Sequence, residues 1–112
     1  SYDKLILANG AEPILPPLEG KDLEGVFTLR STPDAEAMIR FMEDHEVKNL
    51  AVVGAGFIGL EVGTLLKTTH PDLNVTIVEM LQRPVAAMLD DDMAAPVTTY
   101  LEKQGMTLRL GI

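Results

Sequence analysis

The 112 residues include no cysteine and no tryptophan, and aromatic side chains make up only 4%. Without thiols the chain offers no disulfide framework, no thiolate metal site and no cysteine nucleophile. Its two histidines, His45 and His70, are too few and too far apart for a His-rich metal centre. Positive charge is scarce as well: 9 Lys and Arg stand against 17 Asp and Glu, a net charge of −8. The acidic excess runs through the whole chain, with 10 acids against 5 bases up to Asn49 and 7 against 4 beyond it. Nucleic acid and anionic membrane surfaces are therefore poor partners. Long apolar runs are missing too. The longest uncharged stretch, Asn49 to Leu60, is too short and too rich in glycine to span a bilayer, and no signal-peptide pattern is present. The expected location is cytoplasmic.

What is present is an ordinary folding composition, 46% hydrophobic and 23% charged, with a length sufficient for one modest core. The first residues, Ser1 to Leu7, lack an initiator Met and read at once as a strand, so the chain is expected to be an excerpt of a longer one. Lys4 to Ala8 form a short apolar run closed by Asn9-Gly10, a strand ending in a turn that calls for positive φ. Ala11 to Gly25, with Pro13, Pro16, Pro17 and Gly20, has no periodicity and reads as a crossover between domains. Val26 to Leu29 reads as a second short strand. Thr32 as N-cap, Pro33 and the acids Asp34 and Glu36 then open a helix to about Glu46, with Ala35, Met38, Ile39 and Met42 on its apolar face.

The second half alternates strand and helix. Leu50 to Val53 has the continuous apolar pattern of a strand buried on both faces. From Phe57 to about Thr69 the apolar residues Ile58, Val62, Leu65 and Leu66 have helical spacing, and Val75 to Val78 follows the break at Pro71 as a strand. Leu81 to Leu89 shows no clear period. Asp90-Asp91-Asp92 precedes a third helix, with Met93, Val97, Tyr100 and Leu101 apolar and Gly105 as its left-handed cap. Met106 to Leu110 closes the sequence as a third strand with one more exposed face. The expected fold class is α/β, with a βαβ unit in a partial parallel sheet.

Chemistry concentrates at Gly54-Ala55-Gly56-Phe57-Ile58-Gly59, a G-x-G-x-x-G set between strand and amphipathic helix. Gly54 suits a tight turn, Gly56 a close approach of the backbone to a diphosphate, and Gly59 close packing of helix on strand. Gly63 extends the pattern by one turn, and two glycines on one helix face imply steric pressure from the neighbouring sheet. The helix N-terminus supplies free N–H groups and positive potential for an anion. Glu79, 20 residues past Gly59 at the end of the next strand, stands where the dinucleotide fingerprint places an acid on the adenosine ribose. That acid disfavours a 2′-phosphate and so favours NAD(H) over NADP(H), a preference that Arg83 can soften.

On these residues the chain resembles the FAD-dependent pyridine nucleotide-disulphide oxidoreductases, especially the branch of NADH oxidases and coenzyme A-disulphide reductases. Tyr2 to Ala11 is similar to the family's strand near the flavin, ending in Ala8-Asn9-Gly10 where Ala-Thr-Gly is usual. Gly25 to Arg30 with Asp34-Ala35-Glu36 is similar to its entry into the NAD half, Val52 to Glu61 to its NAD turn, and Met88-Leu89-Asp90 to its loop after the second strand. The resemblance implies a Rossmann-like three-layer FAD/NAD(P)-binding fold. Residues 1–30 would be a strand and linker of the FAD domain, and residues 31–112 the first part of the NAD(H) domain. It also implies hydride transfer from the nicotinamide to FAD and on to a disulphide, oxygen or another acceptor, within a longer flavoenzyme that is a homodimer or self-associates. By the same resemblance Asn9 and Gly10 lie near the flavin and Glu61 near the nicotinamide or flavin edge. The last could equally be an ordinary acid at a helix N-terminus.

Plainer readings apply elsewhere. One of Asp90, Asp91 and Asp92 serves as N-cap rather than the three binding a metal; His45 and His70 are helix-end residues; the six Met residues are mostly core packing; and Pro16-Pro17 is a stiff linker. A flavin-free NAD dehydrogenase and a non-catalytic nucleotide-binding or assembly module are the competing functions. The first needs neither the strand at Tyr2 to Gly10 nor the crossover after it.

Overall fold

Apolar residues at three- and four-residue spacing behind an acidic first turn produce helix α1, Thr32–Asp44, in the computed structural model, which describes residues 1–112. The N-cap is Ser31, not Thr32. Asp34 Oδ2 reaches back to accept hydrogen bonds from the Ser31 N–H (2.7 Å), the Ser31 hydroxyl (2.8 Å) and the Arg30 N–H (3.0 Å). The acid thereby serves donors that a helix start leaves unpaired, and its own bonding partner fixes where the helix begins. The far end falls at Asp44 rather than Glu46, whose φ of 46° leaves the helical path. Phe41 meets Phe27 edge-on with ring centroids 5.4 Å apart and stacks on His45 at 4.0 Å.

Helix α1 and the segment before it form one compact unit, Ser1–Glu46, and Val47–Ile112 form a second. In the first unit the two expected strands do not form. Lys4–Ala8 and Val26–Leu29 pair with no neighbour, and Ile6 and Leu7 are 89% and 79% exposed. An apolar run becomes a strand only when another strand supplies the complementary N–H and C=O groups. Gly10 does turn at positive φ, 79°.

The second unit is strand β1 (Asn49–Val53), helix α2 (Phe57–Thr69), strand β2 (Asn74–Glu79), helix α3 (Asp91–Lys103) and strand β3 (Thr107–Leu110). The strands are parallel in the order β1-β2-β3. Leu50 pairs with Val75 and Val53 with Val78, and Thr76 pairs with Thr107. Asn74 Nδ2 donates to Asn49 Oδ1 at 3.0 Å, so a side-chain amide pair marks the register at the sheet's first rung. Both crossovers step the same way across the sheet, and right-handed connections of that kind lay their helices on one face. The burial of β2 agrees: Val75 and Ile77 are buried, whereas Thr76 and Val78 between them are half-buried.

The core comprises Leu66 of α2, Leu73, Val75 and Ile77 of the central strand region, Ala94 and Leu101 of α3, and Met106. Strand β1, expected to be buried on both faces, has Ala51 and Val53 exposed on the face that no helix covers, and Leu50 and Val52 only half-buried on the other because it forms an edge of the sheet. In α2, Leu66 and Gly63 face inward, while Ile58 and Leu65 are 70% and 60% exposed. In α3 the inward residues are Ala94 and Leu101; Met93 and Tyr100, expected to be apolar contacts, are exposed. Three of the six Met residues, Met80, Met88 and Met93, are exposed as well, so core packing accounts for fewer of them than expected. Helix α3 ends as anticipated in a left-handed residue, Gly105 at φ 75°. The Gly105 N–H donates to Glu102 O and the Met106 N–H to Leu101 O, the paired bonds of a Schellman motif.

Candidate functional site

The glycine turn leaves β1 with its direction already fixed. The Gly54 N–H donates to Val78 O at 2.8 Å, continuing the β1–β2 ladder by one residue. Gly54 then takes φ 103°, a conformation that strains any L side chain. Gly56, the N-cap of α2, lies at φ −78° and ψ 179°, which any residue adopts. Its carbonyl accepts the Leu60 N–H and starts the helix.

A β-carbon at Gly59 would lie 2.1 Å from Gly54 O, and one at Gly63 would lie 2.9 Å from Ile77 Cδ1. These two glycines let α2 press against the turn and the sheet, as their spacing implied. Gly56 differs from both. A β-carbon there would meet only Met88 Cε, at an ordinary 3.5 Å. Neither backbone conformation nor packing within the protein requires a glycine at that position.

The N–H groups of Gly56 and Phe57 have no hydrogen-bond partner within the protein. They sit at the positive end of a 13-residue helix whose first turn carries no acidic residue. Unpaired amides and an uncompensated helix dipole together suit a bound anion. The exposed residues Phe57 (59%) and Ile58 (70%) flank this end.

Glu79 closes the turn from the side of β2. Its Oε2 accepts the Ala55 N–H at 2.7 Å and its Oε1 accepts the Leu81 N–H at 2.8 Å. Those bonds, the Leu81 one first and the Ala55 one next, hold the carboxyl below the ordinary glutamate range, against a smaller opposing effect of burial. Each oxygen retains acceptor capacity beyond its one backbone bond. The loop after β2 returns to the same residue: the Val85 N–H donates to Ala55 O at 2.8 Å. Ala55 is 1% exposed, Val85 3%, and Pro84 is fully buried. Val85 holds this position at φ 50°, in the left-handed region that β-branched residues rarely enter. No sequence signal pointed to Val85, because Leu81 to Leu89 has no periodicity and valine carries no turn signature.

The other expected site residues fall out as follows. Arg83 lies in that loop, where its Nη1 donates to Leu89 O at 2.7 Å and its Nε forms an ion pair with Asp91 at the head of α3. Its guanidinium is thus engaged within the loop. Glu61 is exposed on the second turn of α2, and Asn9 and Gly10 are exposed in the first unit. Asp90 is the N-cap of α3, and no group of three potential metal ligands occurs. His45 and His70 are the C-cap residues of α1 and α2. No helix is long and apolar enough to cross a membrane.

Comparison with known proteins gives this turn a context. The family model for pyridine nucleotide-disulphide oxidoreductase matches residues 1–112. The chain is 48% identical over 110 residues to an NADH oxidase of Methanocaldococcus jannaschii, covering 98% of this chain and 24% of that protein. Among solved structures it is similar to an NAD-dependent persulfide reductase from A. fulgidus, at 42% identity and a TM-score of 0.83 over 91% of this chain and 18% of that one. It is also similar to the water-forming NADH oxidase from Lactobacillus brevis bound to NADH, at 32% identity and a TM-score of 0.84 over 99% of this chain and 24% of that one. The chain thus spans about a quarter of the length of the curated relatives it matches. With a match that runs the full length of the sequence and a fold shared with these enzymes, the chain belongs to the pyridine nucleotide-disulphide oxidoreductase family.

Proposed function

We propose that the chain is the NADH-binding portion of a flavin-dependent oxidoreductase that passes hydride from the nicotinamide to FAD and on to a disulphide, oxygen or another acceptor. Residues 31–112 belong to its NAD(H) domain, and residues 1–30, with Asn9 and Gly10 toward the flavin, to its FAD domain. The diphosphate of NADH rests on the Gly54–Gly59 turn, taking the free N–H groups of Gly56 and Phe57, with Ala55 and Ile58 shaping the rest of the turn. Glu79 uses its remaining acceptor capacity on the adenosine ribose. Glu61, exposed on α2, lies toward the nicotinamide or flavin edge. When bound, FAD accepts the hydride; this chain's own residues hold and orient the donor. The 112 residues carry one such glycine turn and no cysteine, so a flavin diphosphate site and any redox thiol come from other segments of a longer protein.

The observation that carries this reading is Gly56, a glycine that the protein itself does not need and that leaves open the space in front of two unpaired amides. The coenzyme preference is for NADH, since Glu79 repels a 2′-phosphate and the nearby Arg83 is already engaged by Leu89 O and Asp91. Gly56→Ala tests the site. The variant is expected to fold like the wild type and to lose NADH affinity by about tenfold or more, the equivalent of forcing a methyl group into a filled space. Unchanged NADH affinity in a folded Gly56→Ala protein would refute the diphosphate assignment. For the ribose, Glu79→Ala is expected to weaken NADH and to narrow its advantage over NADPH; equal NADH affinity before and after the change counts against that role.

A further inference from the structure

Ala55 is held at both ends by residues of β2 and the loop after it. Glu79 takes its N–H, and Val85 gives an N–H to its carbonyl. All peptide bonds are trans, so the N–H and C=O of each peptide unit point in opposite directions. With the Ala55 N–H turned to Glu79, the Gly54 carbonyl must face the other way, and Gly54 O does lie at α2, 2.1 Å from where a Gly59 β-carbon would sit. With the Ala55 carbonyl turned to Val85, the Gly56 N–H must face away from the loop. That is one of the amides left without a partner at the head of α2.

We propose that Glu79 and Val85 are positioning residues that clamp Ala55 from its two ends and so aim the Gly56 N–H at the diphosphate of the bound nucleotide. The proposal rests on the NADH-binding reading and goes beyond it: Glu79 acts on the turn as well as on the ribose, and Val85 acts without touching ligand. A left-handed φ at a buried valine persists only where its surroundings over-determine it. Here the conformation places the Val85 N–H on Ala55 O while its carbonyl accepts the Met88 and Leu89 N–H groups.

The test uses the full-length flavoenzyme, with inorganic pyrophosphate, which has no ribose, as a competitor of NADH. In the ligand-free enzyme Glu79→Ala is expected to speed hydrogen exchange at the Ala55 amide by about tenfold or more, as loss of a charge-assisted hydrogen bond implies. The same variant is expected to weaken competition by pyrophosphate by about threefold to tenfold, since the turn is no longer held in its binding geometry. Val85→Pro, which has no N–H and cannot adopt positive φ, should weaken pyrophosphate likewise, whereas Val85→Gly, which retains both, should compete like the wild type. If Glu79→Ala loses NADH affinity but keeps wild-type pyrophosphate competition and Ala55 exchange, Glu79 acts on the ribose alone and the clamp is overturned. A folded Val85→Pro enzyme with wild-type competition removes Val85 from it. If the wild-type enzyme binds neither NADH nor pyrophosphate, the nucleotide reading itself fails and the clamp falls with it.

Discussion

One added methyl group separates the uses to which the glycines are put. At Gly59 it would collide with a backbone carbonyl that cannot move without breaking the turn, so Gly59→Ala is expected to cost about 3 kcal/mol or more, or to prevent folding. At Gly63 it would meet the flexible tip of Ile77 and gain helix propensity, leaving a net cost of about 1 kcal/mol. Urea unfolding of the two variants measures the difference, and equal costs would contradict it. That both glycines face the sheet was legible in their spacing of four. That one meets backbone and the other a side chain was not, since it depends on the path of Gly54 in space. Glu79 adds a pH dependence. Its carboxyl titrates lower when folded than when unfolded, because the Leu81 and Ala55 N–H groups favour the charged form. The stability it contributes is fully present above the ordinary glutamate value of about 4.3 and is lost as the pH falls from there through its folded value. Urea midpoints recorded downward from neutral pH should fall less for Glu79→Gln than for the wild type over this range.

Some element boundaries that glycine or proline marks were readable in the sequence. Helix α2 begins after Gly56 and ends before His70 as its spacing and Pro71 required, and α3 ends in Gly105. Because Gly105 is left-handed and its N–H completes the Schellman pair, Gly105→Ala is expected to lower stability by about 1–2 kcal/mol, measured by thermal or urea unfolding. Misread elements depend on partners that no local pattern reveals. Lys4–Ala8 has strand composition but no strand beside it, and β1 has a buried-strand sequence but an edge position. The inward stripe of α3 runs through Ala94 and Leu101 rather than Met93 and Tyr100, and which stripe of a helix turns inward is set by how it lies on the sheet. The shift from Thr32 to Ser31 at the head of α1 has a similar origin: both are good N-caps by type, and the reach of Asp34 decides between them.

For the molecule as a whole, surface composition is the clearest guide to behaviour. Leu5, Ile6, Leu7 and Ile14 of the first unit and Val53, Ile58 and Leu65 of the second are all more than half exposed. Both outer strands of the three-stranded sheet also present open edges. Such surfaces seek cover, and the 112-residue chain is expected to self-associate despite its charge of −8. Sedimentation velocity over a range of concentrations checks this; a single monomeric species throughout would count against it. The bond between Glu79 and Ala55 joins residues 24 positions apart, and Gly54 is tied to Val78. The glycine turn is consequently not a local motif that can preform on a nascent chain, because its geometry exists only after β2 has docked beside β1. Such non-local assembly would couple coenzyme binding to sheet formation: a nucleotide at about one hundred times its Kd would add about 2.7 kcal/mol to the folded state. That protection would be shared by the β1–β2 ladder rather than confined to the turn, so a bound coenzyme would act on this half of the fold as a structural ligature.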